Sequence, residues 1–104
     1  MARFDVYVHP QSDARRQTPF LLDVQNNFID GIDTRVVIPL RAASLYQHPL
    51  RDLNPQFEVG GKRVILDTSA LAAVPVRELA KRVDNLQSRS ADIQSALDCL
   101  FGAY

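Results

Sequence analysis

The residue types that most often carry chemistry are sparse in this chain. Its single cysteine, Cys99, and its two histidines, His9 and His48, supply the thiol and imidazoles. A lone cysteine on an amphipathic stretch reads first as a small packing residue, and only secondarily as half of a thiol–imidazole pair. The histidines stand 39 positions apart, without a Cys-x-x-Cys or His-Glu-x-x-His spacing, so no metal site is expected. Asp23, Asp30, Asp33 and Glu58 are spread over predicted strands and turns, a solvated distribution rather than the close pair that general acid–base chemistry uses. No glycine-rich loop precedes a helix to cradle a phosphate. These residues therefore predict no catalytic group and no cofactor. An interaction surface fits better: Tyr7 on the polar face of a strand, Phe28 and Ile29 in a turn, and Phe101 with Tyr104 at the tail are candidate exposed apolar anchors of the kind that interface cores favour.

The element carrying two of those anchors is the clearest in the sequence. Ile93, Ala96, Leu97, Leu100 and Phe101 repeat at i, i+3, i+4, i+7 and i+8, one face of a helix from Ser88 to Phe101. Ser88 or Ser90 is the expected cap, Asp92 suits the first turn, and Gly102 ends the helix. Its roughly 14 residues would reach about 21 Å, enough to cross a small sheet and project the tip. Asp98 places acidic charge near the negative end of the dipole.

The remaining chain reads as the platform for that helix. Phe4, Val6 and Val8 alternate with polar neighbours, and so do Phe20, Leu22 and Val24, giving two antiparallel strands. Phe28 and Ile29 fall in the turn that follows and are expected to tuck beneath the sheet; standing exposed is the alternative. Val36 to Leu40 is a nearly continuous apolar run, a central strand buried on both faces, one of them by the sheet's own core or by a second subunit. Pro39 is expected to end or bulge it. Ala42 to Leu53 has no clear period, with Leu45 and Tyr46 in a short turn. Gly60-Gly61 joins two strands as a hairpin, Val74 to Val76 reads as a short edge strand, and Lys81 to Asn85 as a lead into the helix. The fold class is mainly β or α+β, a small twisted antiparallel barrel with one C-terminal helix.

The 104 residues make one domain, 1–104, with 46% hydrophobic and 23% charged residues, enough for a core without staples. No apolar run approaches a membrane span. Arg3, Asp5 and His9 speak against a signal peptide, and one unpaired cysteine suits a reducing cytoplasm. Twelve basic and twelve acidic side chains cancel, so direct nucleic-acid binding is not expected.

The order Phe4-x-Val6-Tyr7, Asp23-Val24-Gln25, Ile29-Asp30, Arg35-x-Val37-Ile38-Pro39-Leu40, Val74-Pro75-Val76 and Asp92-Ile93-x-x-Ala96 resembles the CcdB toxins of plasmid and chromosomal toxin–antitoxin modules. The resemblance runs from Phe4 to Phe101. It implies a cytoplasmic homodimer on the barrel shared with the MazF and Kid toxins, not itself an enzyme. The implied activity is binding to the dimerisation domain of the DNA gyrase A subunit, trapping of the cleaved DNA complex, and neutralisation by a CcdA-like antitoxin.

Carried over residue by residue, the gyrase surface would comprise Phe4, Tyr7, Asn26, Phe28, Ile29, Asp98, Phe101, Gly102, Ala103 and Tyr104. The antitoxin surface would comprise His9, Arg15 and Arg16 with Leu45, Tyr46, Gln47 and His48, the two arginines receiving an acidic tail. The sequence departs from the pattern at the tail: the family's best-known members end Phe-Trp-Gly-Ile, and here Gly102, Ala103 and Tyr104 follow Phe101. Loss of an aromatic anchor costs about 2 kcal/mol or more, roughly 30-fold in affinity. Either Tyr104 supplies the ring from two positions on, or the protein keeps the fold and antitoxin with a changed target. A MazF-like ribonuclease built on Arg35 and Thr68 is the rival class.

Overall fold

The computed structural model describes residues 1–29 and 31–102. Strand β1 (Asp5–Val8) pairs antiparallel with β2 (Phe20–Asp23), setting Val6 opposite Leu22 and Tyr7 opposite Leu21. On its other side β2 pairs with β3 (Thr34–Ala42), Leu22 facing Ile38 and Phe20 facing Leu40. At nine residues, β3 is long enough to take two partners along its far edge. The first is β6 (Ala72–Pro75) beside Thr34–Val37; the second is β5 (Lys62–Leu66) beside Leu40–Ala42. Strand β4 (Gln56–Val59) completes a hairpin with β5. The turn between them is Gly60-Gly61, with φ of +57° and +78°, values that two glycines accept without strain. Strand β7 (Arg82–Asn85) pairs with β1, and the curled antiparallel sheet runs β4-β5-β3-β2-β1-β7. Helix α1 (Ser90–Phe101) lies across its concave face.

Period-two patterning assigns the faces. Val6, Phe20, Leu22, Ile38, Leu40, Val64 and Leu66 point inward, where Ile93 and Ala96 of α1 close the core. The opposite face is also covered: Tyr7, Leu21 and Val37 pack against Leu79 and Val74. The expectation that β3 is buried on both sides therefore holds, and the covering comes from the chain's own segment 74–79.

Three expectations from the sequence are corrected. Pro39 neither ends nor bulges β3. Its carbonyl accepts the Asp67 N–H, so its nitrogen faces the same flank, where β6 has already left and β5 has only begun; the missing donor costs no ladder bond. Lys81–Asn85 is largely a strand, because Arg82 and Asn85 both donate to Asp5 Oδ1, at 2.8 and 2.9 Å. Helix α1 starts at Ser90 and has no serine side-chain cap. Arg89 precedes it, pairs with Asp92 at 2.9 Å, and sits 4.6 Å over the Phe57 ring. Gly102 ends the helix as expected, at φ +76°, its N–H bonded to the Asp98 carbonyl.

The outer face also buries charge. Arg35 grips Asp23 with two bonds, Nε–Oδ2 at 2.8 Å and Nη2–Oδ1 at 2.9 Å, and the two side chains are 6% and 0% exposed. Removing one partner from such a pair strands the other in low dielectric and costs about 3–5 kcal/mol. Arg35→Met alone should therefore lower the thermal midpoint by at least about 10 °C, and Asp23→Leu/Arg35→Met together should recover most of it in calorimetry. Equal loss in the single and double variants would rule out a buried-charge penalty.

Asp5 adds a pH dependence. Burial opposes its ionisation, but Arg82, Asn85 and the Ala2 N–H outweigh that and hold its carboxyl below the ordinary 3.8. The folded state therefore releases this proton more readily than the unfolded chain. The resulting stabilisation is complete above about pH 4 and is lost as pH falls through the lowered value. Urea titrations from pH 5 down to about pH 2 should show a shallower acid loss in Asp5→Asn than in the parent protein.

Candidate functional site

Strands β1, β2 and β3 give the molecule two ends. The amino-terminal segment and the β2–β3 loop meet at one, and the β1–β2 loop and the segment after β3 meet at the other. The eight steps of β3 separate them by about 27 Å.

At the first end, Phe4 adopts φ +73°, a left-handed conformation that a large side chain rarely takes. Two bonds hold it there: its N–H donates to the Asp23 carbonyl, and its carbonyl accepts the Leu86 N–H. The twist sends the Phe4 ring into the core, 5% exposed, and leaves Arg3 on the rim. Arg3 ties the end together. Its backbone N–H donates to Asn27 Oδ1 at 2.7 Å, Nε to the Val24 carbonyl at 3.0 Å, and Nη2 to Gln94 Oε1 at 3.2 Å. Its guanidinium lies 4.8 Å from the Phe4 ring centre. Gln94 then donates to Asp98 at 3.0 Å. A continuous run of polar contacts thus joins the β2–β3 loop to the last turns of α1. Arg3 was missed in the sequence because one arginine before a strand carries no pattern; only the fold sets it between two distant segments.

The loop itself is tightly made. Asn26 Oδ1 accepts the Phe28 N–H at 2.9 Å, and the Asn26 carbonyl accepts the Ile29 N–H at 3.0 Å. Gln25, buried behind it, donates to the Ile29 carbonyl and accepts the Val36 N–H. This geometry turns the Phe28 ring outward, where it is 94% exposed, with Ile29 49% and Ile32 52% exposed. The expected tucking beneath the sheet is overturned, since Phe4 and Val24 are already among the side chains packed in the core there.

Of the residues expected on the gyrase surface, Asn26, Phe28 and Ile29 lie on the loop that Arg3 holds, and Asp98, Phe101 and Gly102 on the end of α1 that Gln94 links to it. Phe101 is exposed and Asp98 half-buried. Tyr7 is not an exposed aromatic. It is 4% exposed on the covered outer face, its hydroxyl donating to Asp5 at 3.4 Å, and burial with the charges of Asp5 and Asp23 pushes its pKa up to about 12. Ala103 and Tyr104 lie outside the described residues.

The second end holds the other set. Arg15 Nε donates to the His9 carbonyl at 2.7 Å. Burial, helped by Arg15 and Arg41, pushes the His9 pKa down, which keeps its ring neutral beside the cations. The Ala42 N–H donates to the Gln17 carbonyl at 2.8 Å, so the Arg15–Arg16 loop stands against the segment leading to Leu45, Tyr46, Gln47 and His48. Tyr46 is anchored through its hydroxyl to Asp67 at 3.2 Å, and Arg41 holds the same carboxylate at 2.9 Å. Leu45, Gln47 and His48 remain exposed.

The residues that a ribonuclease reading would use are consumed structurally. Arg35 is committed to Asp23 in the interior, and Thr68, fully buried, donates its hydroxyl to the Leu53 carbonyl. Neither side chain can meet a polynucleotide.

The curled antiparallel sheet with its C-terminal helix agrees with one comparison. The family model described as CcdB protein matches residues 3–102, from the clasp arginine to the glycine that ends the helix. The chain belongs to the CcdB family of toxin–antitoxin toxins, a family of gyrase poisons rather than enzymes.

Proposed function

We propose that the protein is a cytoplasmic, homodimeric toxin that binds the dimerisation domain of the DNA gyrase A subunit and traps the cleaved gyrase–DNA complex, with a CcdA-like antitoxin neutralising it. The observation that carries the reading is the almost fully exposed Phe28, on a hydrogen-bonded turn beside Ile29 that Arg3 and Gln94 join to Asp98 in the last turn of α1. An apolar anchor carried on a backbone turn that is already formed loses less entropy on contact than one on a loose loop, and the acidic Asp98 end, with no base in the last helical turn, suits a partner that presents arginines. His9, Arg15, Arg16 and Leu45–His48 at the opposite end are the proposed antitoxin contacts, leaving the gyrase end free for separate control.

One feature favours a second reading, in which fold and antitoxin are kept and the target has changed. Gly102, at φ +76°, ends the helix where the family's best-known members carry the tryptophan.

Calorimetry of the full-length protein against the gyrase A dimerisation domain separates the two. The gyrase reading expects binding that Phe28→Ala weakens roughly 30-fold, about 2 kcal/mol, with the thermal midpoint unchanged because the ring packs on nothing. Truncation after Phe101 should weaken it further. Absence of binding by the intact protein would leave only the second reading.

A further inference from the structure

The strongest feature outside the gyrase end is a groove of about 660 Å³ across the opposite end of the sheet. One wall is Arg15 and Arg16 of the β1–β2 loop. The other is Lys62 and Arg63, the first residues of β5 in the glycine hairpin. No carboxylate lines it, and among the described residues none of the four cations forms a salt bridge, whereas Arg35, Arg41, Arg82 and Arg89 each do. The floor is small and partly apolar, with Pro19, Ala42 and Ala43 at its base. One-third of the basic residues of an electroneutral chain thus face one trough, four of twelve.

We propose that the Lys62–Arg63 hairpin forms the second wall of a two-sided cationic groove that takes an extended, carboxylate-bearing segment of the antitoxin. The inference rests on the neutralisation reading for its partner and adds the hairpin, which that reading does not include. Dimensions fit a peptide. From β2 across β3 to β5 is about 10 Å, spanned by three or four extended residues. In an extended chain successive side chains point to opposite sides, so a pair of adjacent acidic residues would face the two walls, and small residues between such pairs would let the backbone lie against the alanine floor. A long polyanion fits less well. Asp13 stands two residues before Arg15, and Glu58 is paired across the hairpin from Arg63, so the positive region is short and bordered by acid. The two walls also come from segments far apart in sequence, so no basic run announces the groove.

The test uses the full-length protein and a labelled eight-residue peptide, Glu-Glu-Ala-Ala repeated twice, which presents Glu on both sides of an extended chain, followed by fluorescence anisotropy. Its glutamine counterpart and a 20-base-pair duplex, about 68 Å long, serve as comparisons. The acidic peptide should bind, the glutamine peptide should not, and affinity should fall steeply as salt rises from about 0.1 M to 1 M and the screening length drops from about 10 to 3 Å. Lys62→Glu/Arg63→Glu should weaken peptide binding roughly tenfold, with circular dichroism and gyrase-domain binding unchanged. Arg15→Glu/Arg16→Glu reports on the reading beneath the inference. Loss in that variant alone would keep the acidic tail on the loop and overturn the hairpin wall; loss in neither would overturn both. Tighter binding of the duplex than of the peptide, abolished by the hairpin reversal, would make the groove a nucleic-acid site and overturn the proposal.

Discussion

The arrangement depends most on one buried carboxylate. Asp23 sits at the last position of β2, and every atom that can accept a bond does so. Its side chain takes both bonds from Arg35 on β3 and a third from the Gln25 N–H. Its carbonyl takes the Phe4 N–H. The first pair locks two central strands together on their covered face. Gln25, so placed, braces the β2–β3 loop through Ile29 and Val36, and Phe4 fixes the amino-terminal segment from which Arg3 reaches the helix. An ion pair this deep adds little net stability over well-packed apolar residues, but it penalises any register that leaves either charge alone. Its contribution here is positional: the loop, the clasp and the helix end take their places from it.

That arrangement explains how the Phe28 end is densely hydrogen-bonded although it is made of loop, turn and helix. Phe4 in the left-handed region costs about 1–3 kcal/mol, and two backbone bonds, one to the last residue of β2 and one to the residue after β7, hold it there. Phe28 gains nothing from folding, since nearly all of its surface stays in water. A chain that spends both strain and apolar surface at one end does so against the trend of folding energetics, and such conflicts concentrate where a partner compensates for them.

Much of this was legible in the sequence, and the failures share a cause. Alternation found β1 and β2, the apolar run found β3, the glycine pair found the β4–β5 hairpin, and helical spacing found α1. Where a residue's environment is set by segments remote in sequence, the local pattern misled. Tyr7 alternates with the apolar residues of β1 and so read as solvent-facing, yet Leu79 from more than seventy positions away covers it. Strand β7 has Val83 as its one aliphatic residue and is recruited by Asp5 through Arg82 and Asn85, a bond set invisible to periodicity. Phe28 read as buried because large apolar residues usually are, while the Asn26 turn that expels it is a matter of local hydrogen bonding. Arg3 and the Lys62–Arg63 pair carry no signal at all until the fold gives them neighbours.

Electroneutrality proves to be a poor guide to this surface, for the same reason. A net charge of zero argues against a protein-wide field, but not against segregation. The helix tip leaves Asp98 without a basic residue in its last turn, while four cations that form no salt bridge among the described residues line the groove at the far end of β3. At ordinary ionic strength the screening length is about 8–10 Å, well short of the roughly 27 Å that β3 spans. Each end is therefore electrically independent of the other. A basic partner can be drawn to one and an acidic partner to the other without either charge cancelling its neighbour's field. The rigid strands that separate them are what make such a division of surface available to a protein of this size.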